Sequence, residues 1–95
     1  MYEDEKVLAF YDIDPKAPVH FLVIPKQHIA SMSEITSQNS AIVAHVFEVI
    51  ASLAGELALG NGYRVVTNVG EDGGQTVGHL HFHVLGGRLL AWPPG

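Results

Sequence analysis

His79-Leu80-His81-Phe82-His83-Val84-Leu85 alternates imidazole and apolar side chains with a period of two. Successive side chains of a strand point to opposite faces. The stretch therefore predicts a strand over residues 79–85. His79, His81 and His83 share one of its faces, and Leu80, Phe82 and Val84 the other. The apolar set can pack under a helix, while the imidazole row looks into a cleft or solvent. Gly86-Gly87 ends the strand.

Upstream lies Val69 to Gly78, a glycine-rich loop, and before it Tyr63 to Asn68, which reads as another strand. Gly60-Asn61-Gly62 is a stop for a preceding helix. That helix is predicted over Asn39 to Leu59, with Ile42, Val46, Val49, Ile50, Leu53 and Leu57 at helical spacing and Ser37 as N-cap. Gly55 inside it costs about 1 kcal/mol against Ala. Ser31 to Thr36 holds a short helical turn. Val7 to Ile13 and Val19 to Ile24 read as two strands of a hairpin, joined by the turn Asp14-Pro15-Lys16-Ala17-Pro18. Trp92-Pro93-Pro94-Gly95 reads as a stiff, extended tail. The fold class is α+β: an antiparallel sheet of four to five strands with one main helix on one face.

Ninety-five residues suit one small domain, and 47% of them are hydrophobic, enough for a core. The formal charge of −5, with five Lys and Arg, argues against duplex nucleic acid, which needs clustered cations. The absence of Cys excludes disulfides, thiol catalysis and thiolate metal sites. No apolar run is long enough to span a membrane, and the acidic start lacks the features of a signal peptide. A soluble cytoplasmic protein is expected.

Three histidines on one strand face have three readings: a polar sheet face, a metal site, or covalent catalysis by imidazole. Geometry weighs against one metal ion held by all three, since the outer Cα atoms lie about 13 Å apart at ~3.3 Å per residue. Two of them with His20 or His28 remain a possible ligand set. In catalysis, a neutral imidazole has one bare ring nitrogen, and a hydrogen bond at the other fixes which. Adjacent imidazoles resist being cationic together, so one can attack while a neighbour donates protons. The glycine-rich loop leads directly into the histidines. Its backbone N–H groups can approach an anion closely, and Thr76 adds a hydroxyl; a flexible turn is the alternative. Asp12, in Phe10-Tyr11-Asp12-Ile13, either accepts hydrogen bonds from a ribose diol or caps a turn. His45 reads as structural, His28 as ordering the turn after Pro25, and Glu3-Asp4-Glu5 as a solvated terminus.

The segment Gln75 to Arg88, with its His-x-His-x-His core followed by two apolar residues, resembles the histidine-triad signature. Leu8-Ala9-Phe10-Tyr11-Asp12-Ile13, His20-Phe21-Leu22-Val23-Ile24-Pro25-Lys26 and Trp92-Pro93-Pro94-Gly95 are similar to the Hint branch of that family. The resemblance covers almost the whole chain. It implies a hydrolase of purine nucleoside phosphoramidates acting through a nucleotidyl-histidine, with nucleotide binding at little turnover as the alternative. It also implies a homodimer, an AMP-like substrate and no cofactor or metal. In the roles it implies, His81 is the nucleophile, His83 contacts the phosphate, and His79 and His20 support the site. Asp12 holds the ribose, Ile13 and Phe10 lie near the base, and Asn68, Gly74, Thr76 and Val77 contact phosphate and leaving group. Two departures stand out. Thr76 stands where many relatives carry Ser. Relatives usually carry a further front segment with a helix and the start of the first hairpin, so the chain is expected to be a single HIT domain over residues 1–95 lacking that segment.

Overall fold

A computed structural model describes all residues from Met1 to Gly95. Five strands form one antiparallel sheet: β1 (Tyr2–Glu3), β2 (Val7–Tyr11), β3 (Val19–Pro25), β4 (Tyr63–Val66) and β5 (Phe82–Gly86), in the spatial order β1-β2-β3-β5-β4. The helix α1 (Ser40–Glu56) covers one face, and a short 3₁₀ turn spans Met32–Glu34. This is the expected α+β architecture, with five strands.

The alternation of side chains builds the two faces. In the register Phe21 lies opposite Val84 and Leu22 opposite His83. Phe21, Val23, Phe82 and Val84 turn toward α1 and are buried with Val7, Ala9, Val46, Val49, Ile50, Leu53 and Leu80. At about 25 cal/mol per Å² of apolar surface removed from water, this cluster is the main stabilising element of so small a chain. His20, Leu22, Ile24 and His83 lie on the opposite face, which no helix covers.

Several boundaries differ from the sequence reading. β5 begins at Phe82, so His79 and His81 precede the ladder. The ladder to β3 ends at the pair Val23–Phe82, because Pro25 has no N–H to continue it. Other bonds hold this stretch instead: Leu80 N–H donates to the Ile29 carbonyl at 2.6 Å, and the Thr67 hydroxyl to the His81 carbonyl at 2.8 Å. β2 and β4 likewise stop short of Ile13 and Asn68.

The helix starts after Asn39 rather than Ser37. The Asn39 side chain turns backward, accepting from Thr36 N–H at 2.7 Å and donating to the Glu34 carbonyl at 3.1 Å. At the other end the helix stops at Glu56, before the expected glycines. Ala58 takes a left-handed conformation (φ 57°), and Leu59 N–H bonds back to the Ala54 carbonyl at 3.0 Å. This turn brings Leu59 into the core, where it is 7% exposed.

Residues 3–5 are not merely a solvated terminus. Tyr2–Glu3 pairs with Leu8 and Ala9. The Asp4 carboxylate accepts from the backbone of Lys6 and Val7 at 2.8 Å each, and from His45 Nε2 at 2.7 Å. His45 is structural, as expected, and ties the first hairpin to α1. The backbone N–H of Lys6, then His45, holds the Asp4 carboxyl well below the usual carboxylate range. The tail is not uniformly extended, since it bends at Trp92 and Pro93. Arg64 anchors the tail by donating to the carbonyls of Leu90 and Ala91 at 3.2 and 3.0 Å.

Candidate active site

Four imidazoles and one carboxylate gather where β2, β3 and the start of β5 meet. His79, His81 and His83 line one cavity of about 420 Å³ with Phe10, Tyr11, Asp12, Ile13, Leu22, Ile24, Thr76 and Val77. That volume suits a small ligand. Its wall is mostly apolar, with the histidines, Asp12 and Thr76 as the polar groups. A larger concavity of about 530 Å³ lies beyond the end of α1, near Tyr63, Arg64 and Arg88. No histidine or carboxylate lines it, and the candidate catalytic histidines His79, His81 and His83 line the other cavity.

Backbone groups fix the protons of the rings, because an N–H can only donate and a carbonyl only accept. His81 Nδ1 lies 2.7 Å from the His79 carbonyl. Nδ1 therefore carries the proton, and in neutral His81 the Nε2 atom is bare. The Lys16 N–H donates to His20 Nδ1 at 3.0 Å, which places the proton of neutral His20 on Nε2. That Nε2–H faces His83 Nδ1 at 2.9 Å. His83 accepts there and keeps its own proton on Nε2. His79 Nε2 donates to the Pro25 carbonyl at 2.8 Å.

The electrostatics agree with this proton chain. Burial, and then the neighbouring His81 and His20 rings, hold His83 below the ordinary imidazole value, while Asp12 opposes the shift. The His81 and His83 rings meet edge to face with centroids 5.1 Å apart. His20 is 5% exposed and lies behind the cavity wall.

Asp12 caps a turn, one of its two sequence readings, and also borders the cavity. Its Oδ1 accepts from Asp14 N–H at 2.8 Å, a turn cap. Its Oδ2 stays 3.5 Å from His20 Nε2 and 3.9 Å from His83 Nδ1, on the cavity wall. Asp12, His20 and His83 place three ligand-type atoms within 4.8 Å of one another. The donor set does not suit a metal ion, since the Lys16 N–H holds the His20 proton on the nitrogen that would ligate.

Of the other sequence candidates, Phe10, Ile13, Thr76 and Val77 line the cavity and Asn68 and Gly74 do not. The Asn68 amide donates to the Gly73 carbonyl at 2.7 Å, bracing the glycine-rich loop. Gly74 serves that loop through a positive φ of 74°, which side chains with a Cβ rarely adopt. A Cβ on Gly73 would run into the Val69 carbonyl. Gln75 clips the loop to the Ala30 carbonyl at 2.9 Å. Tyr11, Leu22 and Ile24 were missed as cavity residues. The signal was present for Leu22 and Ile24, which share the face of His20 at a spacing of two.

No helix is long and apolar enough to cross a membrane. The HIT domain family model matches residues 1–90. A HIT-like protein of Synechococcus elongatus is 54% identical over 95 residues, all of this chain and 83% of its own length. A HIT-like protein of Synechocystis is 45% identical over the same coverage. Among solved structures, a HIT family hydrolase from Legionella pneumophila superposes with a TM-score of 0.98 at 46% identity, over 100% of this chain and 86% of that one. A histidine triad protein from Clostridium difficile gives 0.92 at 47% identity, over 96% and 80%. With the alternating histidines in one cavity and a family match across nearly the whole chain, this protein is a member of the HIT domain family.

Proposed function

We propose that this chain acts as one HIT domain, of the Hint branch, which hydrolyses purine nucleoside phosphoramidates of the adenosine monophosphoramidate type through a covalent nucleotidyl-His81. The observation that carries the reading is the His81 Nδ1–H bond to the His79 carbonyl, which leaves Nε2 bare in the cavity that also holds Asp12. The Legionella relative's description as a hydrolase is consistent with it.

In the first step His81 Nε2 attacks phosphorus, the P–N bond breaks, and the leaving nitrogen takes up a solvent proton. The imidazole becomes cationic, and its Nδ1–H bond to a carbonyl strengthens with that charge. His83 donates its Nε2–H to a phosphoryl oxygen, and Thr76 offers a hydroxyl on the leaving-group side. His20 holds His83 in its tautomer. Asp12 accepts from the ribose, with Phe10, Ile13 and the cavity's other apolar residues against the base. Asn68 and Gly74 act through the shape of the loop. In the second step water attacks phosphorus, the P–Nε2 bond breaks, a proton goes to solvent and the nucleoside monophosphate departs, so His81 is again neutral.

Turnover of adenosine monophosphoramidate tests the reading. His81→Ala loses most of it, and His45→Ala, outside the cavity, loses little below its melting temperature. A binding module would hold AMP but release no ammonia in either form. The protein is further proposed to be a cytoplasmic homodimer. β4 is an edge strand whose Tyr63 and Val65 are 42% and 38% exposed, and Phe47 of α1 is 50% exposed; sedimentation at micromolar concentration checks the dimer.

A further inference from the structure

We infer that His28 is a positioning residue for catalysis, acting on His81 through residue 79. The inference rests on the reading of His81 as nucleophile. His28 lies in the loop after β3, is exposed and does not line the cavity. Its ring meets the His79 ring at a centroid distance of 5.3 Å, edge to face, with Nδ1 of one 3.3 Å from Nδ1 of the other. His79 Nε2 already donates to the Pro25 carbonyl. Neutral His79 therefore has a bare Nδ1, and His28 Nδ1–H is the donor to it.

The next residue completes the grip. The peptide group between His79 and Leu80 is bonded at both ends: its N–H donates to the Ile29 carbonyl at 2.6 Å, and its C=O accepts from His81 Nδ1 at 2.7 Å. Bonds in such a chain polarise one another. Ile29 is in the core at 4% exposure, so this carbonyl is fixed. His28 and Ile29, adjacent in sequence, thus hold residue 79 by its ring and by its peptide. That peptide sets which nitrogen of His81 is bare.

The tests are kcat and KM on adenosine monophosphoramidate, and the ¹⁵N ring shifts of His81 across pH, for the wild type, His28→Ala and His28→Asn. The Asn side chain sets an amide donor where His Nδ1 stood. In His28→Ala, kcat is expected to fall about 3- to 10-fold, the effect of one lost hydrogen bond, with KM unchanged. The Nδ1–H signature of His81 weakens. His28→Asn restores both to within about twofold, which an unfolding effect of the alanine variant would not obscure. An alanine variant with wild-type kcat and His81 shifts overturns the inference, as does loss in both variants alike. Failure of the underlying reading looks different: the wild type itself forms no adduct on His81.

Discussion

His81 Nδ1 donates to the carbonyl of His79, two residues earlier, at 2.7 Å. One backbone oxygen thereby distinguishes the two ring nitrogens, with Nδ1 the proton holder and Nε2 the bare nitrogen, the proposed nucleophile. The same device recurs at His20, where the Lys16 N–H directs the proton to the side facing His83. The tautomers of the site are set by the main chain of the β2–β3 hairpin and of the stretch before β5.

His83 makes stability depend on pH. Its folded pKa lies below the ordinary 6.5, chiefly through burial. Between the two values the unfolded chain binds more protons, so stability rises with pH in this window. The contribution is fully present above 6.5 and is lost as pH falls toward the folded value. Urea unfolding at a series of pH values checks this against His83→Gln, which removes that part of the slope. Identical slopes for the two proteins would place the pH dependence elsewhere.

Asp12 is expected to distinguish ribose from deoxyribose. A hydrogen bond between a carboxylate and a hydroxyl contributes roughly 1.5–3 kcal/mol, or about 10- to 150-fold in kcat/KM. The wild type loses that much on a 2′-deoxy substrate, Asp12→Ala handles both sugars alike, and Asp12→Asn falls between. Equal discrimination by wild type and Asp12→Ala would leave Asp12 only its bond to Asp14 N–H.

Chelators are expected to leave kcat unchanged. The proton on His20 Nε2, held by Lys16, occupies the position a metal ion would need. Activity lost to a chelator and restored by zinc would contradict this.

The sheet, the helix and the triad were legible because each follows a plain period, two for β3 and β5 and 3.6 for α1. Less legible was what long-range bonding decides. Asp4 reads as a solvated charge until His45, 41 residues on, bonds it. The sequence puts the helix end at the glycines, yet the chain turns earlier, with Ala58 left-handed and Leu59 buried. The cavity followed from strand faces, whereas the link from His28 to His79 joins residues 51 apart and has no local signal.

The same helix end gives a stability prediction. Gly55 has open space where a Cβ would stand, and Gly in a helix interior costs about 1 kcal/mol against Ala. Ala58, at φ 57°, carries a left-handed strain of roughly 1–2 kcal/mol that glycine avoids. Gly55→Ala and Ala58→Gly are each expected to raise stability by about 1 kcal/mol, read by urea unfolding, with kcat unchanged. A loss of stability in Ala58→Gly would show that the turn is not strained.

The chemistry itself is read most directly by mass spectrometry of the protein, quenched in the first turnovers with adenosine monophosphoramidate. The wild type should gain the mass of one AMP group, located on His81 by peptide mapping, and His81→Ala should gain none. Steady turnover without any adduct on His81, or an adduct on another residue that persists in His81→Ala, would contradict covalent catalysis by the central histidine.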